Sequence, residues 1–553
     1  MKRWVWGAIC AVALLVGCDR PAPTDTAAAA SAVDASTSPV FEVLATSDLK
    51  DAQPLEAMAL KATGVNLKFR FGGTMESTEA VLTGRAGAHA AWFANAKYLL
   101  SDAQGQSRVR LQEKIMYSPI AVGVSESAAK ALGWDRPDVA AKVTWKTITQ
   151  AAGDGRLHFA LSNPATSNQG FMALMGVVAA AADKSEALEA RDVDRRAIAT
   201  FLKGYRLAGD NSTYLSEKFI QGQGPRLNAF INYESWLLSL NASGQLREKL
   251  VLVYPREGVS TADYPFMLLD DSRRDDYLKL VAWLKGPQAQ TWLAEKTLRR
   301  PTHAEVAARV AGSVPGGLLV ELPFSPDRQL ADGLISAYLN EFRKPIASTF
   351  VLDVSGSMAR EQRLVRLVEA LHYVAGDDAS LTGRIARLTE RERVWLLPFS
   401  SQPHEARAFE IPTVAAPVRG VDMVADSQAK LQAMTAVRDF ASQLRPSGGT
   451  ALYDSVLKAL ELMAEQKQQH PDFQYSVVGF TDGENTDGRD FEAFKRDHAR
   501  LSEDARAIPV FMVLFGDAKE AELQALVQVT GGRVFDARRA SLYSVFKDIR
   551  AYQ

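Results

Sequence analysis

The stretch V-L-D-V-S-G-S-M at residues 351–358 decides how the second half of this sequence folds. Its first residues continue an apolar run that is typical of a buried strand, and the run ends at Asp353. Ser355 and Ser357 follow at once, on either side of a glycine. In open α/β sheets, binding sites form where strands end and the following loops diverge. The stretch therefore predicts a polar site at the end of a buried strand.

Residues 346–553 alternate apolar strand patterns with amphipathic helix patterns. The predicted strands are residues 348–352, 394–399, 475–480, 510–515 and 533–535. The predicted helices are residues 361–374, 430–444, 451–468, 491–502, 520–529 and 542–549. Strands interleaved with helices in this way predict a doubly wound, Rossmann-like α/β sheet.

Two further polar stretches complete the pattern that begins at Asp353. S-G-G-T ends at Thr450 just before a predicted helix, and T-D-G places Asp482 directly after a predicted strand. Together with D-x-S-x-S they resemble the metal-ion-dependent adhesion site (MIDAS) of von Willebrand factor A (VWA) domains. The resemblance implies that Mg²⁺ or Mn²⁺ is held by five residues: Asp353, Ser355, Ser357, Thr450 and Asp482.

This set of residues suits a hard divalent cation, because Mg²⁺ prefers oxygen ligands and keeps several waters. Hydroxyls and only two carboxylates leave the ion under-neutralised, so an acidic residue of a partner protein can complete its shell. The alternative is a turn with a serine cap at the start of a helix. Glu484 and Asp487 lack the spacing of a calcium loop and are interpreted as a solvated rim.

Residues 41–310 also alternate strands and helices, with strands predicted at 41–45, 65–71 and 117–124. This region resembles a two-lobed extracellular solute-binding protein in five landmarks: residues 118–124, 161–171, 231–236, 252–258 and 262–266. The resemblance implies two α/β lobes with a ligand between them. Residues 311–345 are a predicted connector that includes a helix at 327–342.

Solute-binding lobes hold ligands at strand ends and helix N-termini, where free N–H groups favour anions. The candidate ligand-binding residues at such places are Ser47, Gly73, Thr74, Ser118, Asn163, Ser167, Gly170 and Tyr233. The alternatives are ordinary loop and cap chemistry, and a domain that has become a scaffold. Trp92, Trp145 and Trp236 could stack on a solute, although tryptophans more often belong to the core.

The sequence opens with a targeting segment. Lys2 and Arg3 precede an apolar run that is too short to span a bilayer, and the run ends in L-V-G-C. This resembles the lipobox of bacterial lipoproteins, which implies a signal peptide at residues 1–18 and lipid on Cys18. The alternative is an ordinary cleaved signal peptide with a stray cysteine. Cys10 would leave with the signal, so the mature chain would have no disulfide.

Residues 19–40 are poor in large apolar side chains and predict a disordered tether. Asp19 after the lipidated cysteine resembles the inner-membrane retention signal of enteric-type bacteria. We therefore expect a lipid-anchored protein of the bacterial envelope, at the periplasmic face of the inner membrane. The outer membrane is the alternative.

The composition excludes some classes of function. Lys plus Arg number 64 and Asp plus Glu number 65, which gives no electrostatic case for nucleic acid binding. No G-x-S-x-G, H-E-x-x-H or G-K-[ST] motif is present, so we predict no enzymatic activity. The main hypothesis is metal-dependent protein–protein interaction, coupled to sensing of a small solute or oxyanion. The alternatives are a substrate-binding receptor of an ABC-type transporter and, as the weakest, a metal-assisted hydrolase with Glu484 as its base.

Overall fold

The structure is a computed structural model that describes residues 39–184, 187–209, 212–312, 319–322, 327–413, 420–421, 426–514, 516, 519–538 and 542–552. The predicted signal peptide with Cys18 and residues 19–38 of the predicted tether lie outside these ranges. The described chain is mixed α/β, which confirms the predicted fold class at that level. Within these ranges, no helix is long and apolar enough to cross a membrane.

The first half of the chain contains twelve described strands and fourteen described α-helices. The strands are β1 (Val40–Thr46), β2 (Asn66–Gly72), β3 (Ala90–Trp92), β4 (Leu111–Lys114), β5 (Met116–Ser125), β6 (Phe159–Ser162), β7 (Tyr205–Gly209), β8 (Ala229–Tyr233), β9 (Leu250–Val253), β10 (Thr261–Ala262), β11 (Pro265–Leu268) and β12 (Arg300–Pro301). The helices are α1 (Leu55–Thr63), α2 (Thr74–Leu82), α3 (Lys97–Leu100), α4 (Ala103–Arg108), α5 (Glu126–Leu132), α6 (Pro137–Ala140), α7 (Trp145–Gly153), α8 (Asn168–Ala182), α9 (Arg195–Leu202), α10 (Ser212–Gly222), α11 (Glu234–Ala242), α12 (Arg274–Leu284), α13 (Pro287–Thr297) and α14 (Ala304–Val310).

These strands form two sheets. The first sheet has the order β2-β1-β3-β11-β4, and we call it and its helices lobe 1. The second has the order β10-β5-β8-β6-β7, with β9 and β12 also paired to β5, and we call it lobe 2. The chain passes from lobe 1 to lobe 2 between β4 and β5, returns between β10 and β11, and reaches lobe 2 again at β12. The first half is therefore built from two α/β lobes joined by three crossings.

The second half adds six described strands and nine described α-helices. The strands are β13 (Ile346–Asp353), β14 (Arg393–Phe399), β15 (Arg407–Glu410), β16 (Gln474–Thr481), β17 (Val510–Leu514) and β18 (Arg533–Asp536). The helices are α15 (Arg328–Ala337), α16 (Arg363–His372), α17 (Leu381–Ala386), α18 (Gln428–Ser442), α19 (Leu452–Gln469), α20 (Phe491–Arg500), α21 (Glu503–Arg506), α22 (Glu520–Thr530) and α23 (Leu542–Tyr552).

The third sheet has the order β15-β14-β13-β16-β17-β18, a doubly wound order that reverses at the first strand, β13. All pairs are parallel except the one between β14 and β15. Every residue of β13 is buried, with Phe350 in the core on one face of the sheet and Val351 in the core on the other. Burial on both faces explains why β13 is a continuous apolar run rather than an alternating one.

The sequence missed β15 because three of its four residues are exposed, which leaves no apolar alternation to detect. The predicted connector helix is present as α15, and a π-helical turn at Tyr338–Phe342 continues it. Leu330 and Leu334 of α15 are buried in the core of the first half. The connector is therefore packed against the first half.

The second half contacts both lobes. On lobe 1, the backbone N–H of Thr382 donates to Glu79 at 3.1 Å, and the Tyr98 hydroxyl donates to Asp332 at 2.7 Å. On lobe 2, Arg195 donates to the backbone carbonyl of Gly420 at 2.7 Å. These contacts dock the second half across the two lobes rather than against one of them.

A buried ion pair joins the last described helix to the third sheet. Arg550 of α23 donates through both terminal nitrogens to Glu392, which precedes β14, and both side chains are almost fully buried. Burial alone would raise the pKa of Glu392, but Arg550 outweighs it, and the pKa lies below the ordinary glutamate value. The stability from this group is therefore complete above the unfolded pKa and is lost as the pH falls through the folded pKa.

Replacing Arg550 by alanine should lower the free energy of unfolding by about 3–5 kcal/mol, because Glu392 is left buried without its main partner. The loss should shrink as the pH falls from about 7 toward about 4, since the unpaired buried carboxyl takes up a proton more readily than the paired one. Urea unfolding at several pH values measures both effects.

Arg500→Ala is the matched control, because this arginine is 77% exposed and pairs with Asp497 at the surface. We expect its effect on the free energy of unfolding to stay below about 0.5 kcal/mol. Similar losses for the two variants would contradict the role given to the buried pair.

Candidate functional site

The carboxyl ends of β13 and β16 bring predicted metal ligands together. Asp353 is the last residue of β13, and Asp482 directly follows β16. The Ser357 hydroxyl donates to Asp482 Oδ1 at 2.8 Å and lies 2.9 Å from the Ser355 hydroxyl oxygen. With Thr450, described next, these residues form a cluster that we call the metal edge: Asp353, Ser355, Ser357, Thr450 and Asp482.

Thr450 reaches the cluster because two loops are tied together by backbone hydrogen bonds. The N–H of Ser447 donates to the carbonyl of Val354 at 2.7 Å, and the N–H of Gly356 donates to Gly448 at 2.9 Å. A Cβ built on Gly483 would lie 3.7 Å from the Ser357 hydroxyl oxygen and 4.0 Å from that of Thr450. The two hydroxyls therefore face the same small residue.

The fold orients the carboxylate of Asp353. One of its oxygens accepts from the backbone N–H of Ser355 at 2.8 Å, and the other accepts from the Thr481 hydroxyl at 2.7 Å. Burial raises the pKa of Asp353 to about 6, although these hydrogen bonds act in the opposite direction. The side chain is 0% exposed, so its position is set by the surrounding loops.

Arg363 is a charged neighbour of the metal edge that sequence reasoning missed. It is the first residue of α16, and it donates to Asp482 Oδ2 at 2.9 Å and to Glu361 at 3.1 Å. The side chains of Arg363 and Asp482 are 4% and 0% exposed. In the sequence it is one of several arginines near the motif, and only the packing of α16 singles it out.

The metal edge fits a hard divalent cation in the chemistry of its donors, which are all hydroxyl or carboxylate oxygens. Within the described ranges, no group of three or more His, Cys, Asp or Glu side chains is placed to hold a metal, so this candidate depends on its hydroxyls. Glu484, half exposed, pairs with Lys519 at 2.8 Å. Asp487 packs against Gly449 so closely that a Cβ there would clash.

A cavity of about 490 Å³ lies between lobe 1 and lobe 2, and we call it the cleft. Its lining is rich in hydroxyl and amide side chains, as the predicted solute site requires. Five of the predicted solute-binding residues line it: Ser47, Gly73, Thr74, Ser167 and Tyr233.

The other three predicted residues, Ser118, Asn163 and Gly170, do not line the cleft. The Ser118 hydroxyl is fully buried and donates to Ser235 at 3.0 Å. The Asn163 side-chain oxygen accepts from a backbone N–H two residues on, at 2.9 Å. Gly170 packs against the carbonyl of Ser162 with no space for a Cβ. The structure therefore gives these three residues the loop and packing roles that the sequence left open.

Thr166 is a cleft residue that the sequence did not single out. It is 6% exposed, and its hydroxyl has no hydrogen-bond partner within the part of the chain that the structure describes. Beside it, Asn168 donates to the Tyr233 hydroxyl at 2.9 Å. Its place in the polar run L-S-N-P-A-T-S-N-Q-G-F, between two predicted residues, was the signal that could have found it.

The three candidate stacking tryptophans separate into two groups. Trp92 and Trp145 are core residues, at 0% and 1% exposure, and each indole N–H donates to a backbone carbonyl at 3.0 Å. Trp236 lines the cleft and donates to Ser216 at 2.7 Å. Only Trp236 remains placed to contact a ligand.

A scan of the sequence against family models finds no match, and a search of curated proteins finds none either. Similar solved structures include "The sulfate-binding protein SubI" from Mycobacterium tuberculosis, with 16% identity and a TM-score of 0.39, covering 52% of this chain and 93% of that chain. The ferric binding protein from Campylobacter jejuni has 9% identity and a TM-score of 0.39, covering 52% and 94%.

The periplasmic binding protein AfuA from Actinobacillus pleuropneumoniae, with fructose-6-phosphate bound, has 11% identity and a TM-score of 0.37, covering 48% of this chain and 86% of that chain. Each of these proteins matches about half of the present chain. The ligands named here are those of the similar proteins.

Replacing Arg363 by methionine should destabilise the chain in EDTA by about 3 kcal/mol, because Asp482 stays buried without its cation. Added Mg²⁺ should then raise the melting temperature of this variant more than that of the wild type, since the divalent cation supplies the missing charge. Thermal unfolding in EDTA and in Mg²⁺ measures the difference.

Arg360→Met is the matched control, because Arg360 lies three residues before Arg363 and is exposed. Its Mg²⁺ response should equal that of the wild type. If Mg²⁺ raises the melting temperature of Arg363→Met no more than that of the wild type, the metal does not replace Arg363 as the cation beside Asp482.

Proposed function

We propose that this chain is a binding protein whose first half takes up a small solute in the cleft. The observation that carries the proposal is Thr166, a buried hydroxyl on the cleft wall whose hydrogen-bonding capacity the described residues leave unused. Buried polar groups are normally paired, so a partner from outside the protein is expected there. The five predicted residues that line the same cavity support the proposal.

Thermal unfolding of the full chain with inorganic oxyanions, amino acids and sugars tests this function. A ligand at one hundred times its Kd should add about 2.7 kcal/mol of stability. Thr166→Val should abolish most of that gain, because valine lacks the hydroxyl. It should not lower the stability of the unliganded protein, since an unpaired buried hydroxyl itself costs free energy.

Thr435→Val is the control, because Thr435 is exposed on α18 and its hydroxyl donates to the helix backbone. It should keep the full ligand response. If no compound in the panel raises the melting temperature, the cleft is a scaffold feature and solute binding is the wrong function.

A second candidate function is metal-dependent capture of a protein partner at the metal edge. The specific observation that favours it is a chain of contacts at the strand ends. The Ser355 hydroxyl lies 2.9 Å from that of Ser357, which donates to Asp482 at 2.8 Å, and these are the donor types of a VWA-type site. Mg²⁺ or Mn²⁺ would be held by the metal edge and would supply an open coordination position. A partner carboxylate would fill that position.

Calorimetric titration with Mg²⁺ and Mn²⁺ tests this second function. Ser357→Ala should weaken metal binding by about tenfold or more, because it removes one donor and the hydrogen bond to Asp482. Ser442→Ala, on the surface of α18, should bind as the wild type does. Partner capture by the immobilised chain should require the metal and fail with Ser357→Ala; capture that survives EDTA would rule out this mechanism.

We also propose a location at the bacterial envelope, with lipid on Cys18, and no enzymatic activity. The receptor function of an ABC-type transporter is the specific form of solute binding that the cleft would serve. The pairing of Glu484 with Lys519 argues against a free base beside the metal edge.

A further inference from the structure

The second half of the chain contributes a wall of the cleft. Gly532 and Arg533, at the start of β18, line the cavity together with residues of both lobes. Arg533 is an exposed side chain at the amino end of its strand. The cleft is thus enclosed by lobe 1, lobe 2 and the second half of the chain, and the second half contributes an arginine to its wall.

Contacts around Arg533 fix it at this place. Its NH1 group donates to the Tyr552 hydroxyl at 2.5 Å, and the ring of Tyr552 meets that of Tyr214 edge-on at 4.5 Å. Lys218, on the same helix as Tyr214, donates to the carbonyl of Gly531 at 3.4 Å. Tyr214 and Lys218 both line the cleft, so the cleft wall of lobe 2 itself holds the arginine in position.

The charges and dipoles that face the cleft favour an anion. The amino ends of α2, α8 and α10 open on it, where Thr74, Asn168 and Ser212 line the cavity. Helix amino ends attract negative charge, and the unused Thr166 hydroxyl can donate to it.

The ionisable side chains that line the cleft also favour an anion. The cations among the described lining residues are Lys50, Lys218 and Arg533. The acids are Asp48 and Glu217, and burial raises the pKa of Asp48, which disfavours its negative form. Arg533 is the cation best suited to an oxyanion, because guanidinium matches the geometry of sulfate, phosphate and carboxylate groups.

We propose that the cleft binds a small oxyanion that both halves of the chain contact, with Arg533 as its cationic partner. This proposal rests on the proposed solute-binding function. It specifies the chemical class of the solute and states that the solute contacts both halves of the chain. Binding would strengthen the docking of the second half on the lobes, because the anion joins Arg533 to the helix ends of both lobes.

Calorimetric titration of the full chain, purified in detergent, with sulfate, phosphate and succinate tests the proposal. Wild type should bind at least one of them, and the ranking separates inorganic oxyanions from carboxylates. Arg533→Ala should weaken that binding by about tenfold or more, because a charge-assisted bidentate contact is lost. Arg533→Lys should keep part of the affinity.

Arg538→Ala is the matched control, because Arg538 lies five residues on and pairs with Asp536 and Glu520 within the second half. It should bind as the wild type does. Equal affinities for Arg533→Ala and Arg538→Ala would overturn the role of Arg533 while leaving solute binding intact. A wild type that binds sugars or other neutral solutes but none of the three anions would overturn the ligand class, and a wild type that binds nothing would remove the proposed function itself.

Discussion

The docking of the second half across both lobes is the constraint on which the rest of the structure depends. Two-lobed binding folds capture ligands by hinge closure of one lobe on the other. Here Thr382 contacts Glu79 on lobe 1, while the carbonyl of Gly420 accepts from Arg195 on lobe 2. A body attached to both lobes sets the width of the cleft, so the lobes cannot rotate freely while these contacts hold. A solute bound as proposed would therefore enter the cleft as it stands or break the docking, and breaking it would couple occupancy to the position of the second half.

The direction of the strands in the third sheet separates its two candidate sites. Parallel strands place all their carboxyl ends at one edge and all their amino ends at the other. Asp353 closes β13 at the carboxyl edge, whereas Arg533 opens β18 at the amino edge. A partner at the metal edge and a solute in the cleft would thus meet opposite edges of one sheet. They would not compete for space, and any coupling between them would have to pass through the packed elements in between.

The metal edge could be predicted from sequence because its information is local. Each donor follows an apolar strand or precedes a helix, and parallel pairing of β13 with β16 then brings the strand ends together. By contrast, Thr166 lines the cleft, whereas the predicted residues Ser118, Asn163 and Gly170 do not. The difference is whether each residue faces the cavity or the protein interior, and the sequence pattern of a short loop does not encode that direction. Arg363 and Arg533 were missed for a related reason. Their roles arise from packing of α16 and from docking between halves, and nothing in the neighbouring residues marks either contact.

The buried carboxylate of Asp482 determines the charge balance at the metal edge. A buried charge needs a compensating charge in every populated state, because leaving it unpaired costs several kcal/mol. Arg363 supplies that compensation in the structure. With a divalent cation added, three positive charges would face the two carboxylates of Asp353 and Asp482. The excess positive charge would favour an acidic group from outside the chain, so the arginine would both stabilise the metal-free edge and strengthen its preference for a partner's carboxylate once the metal is bound.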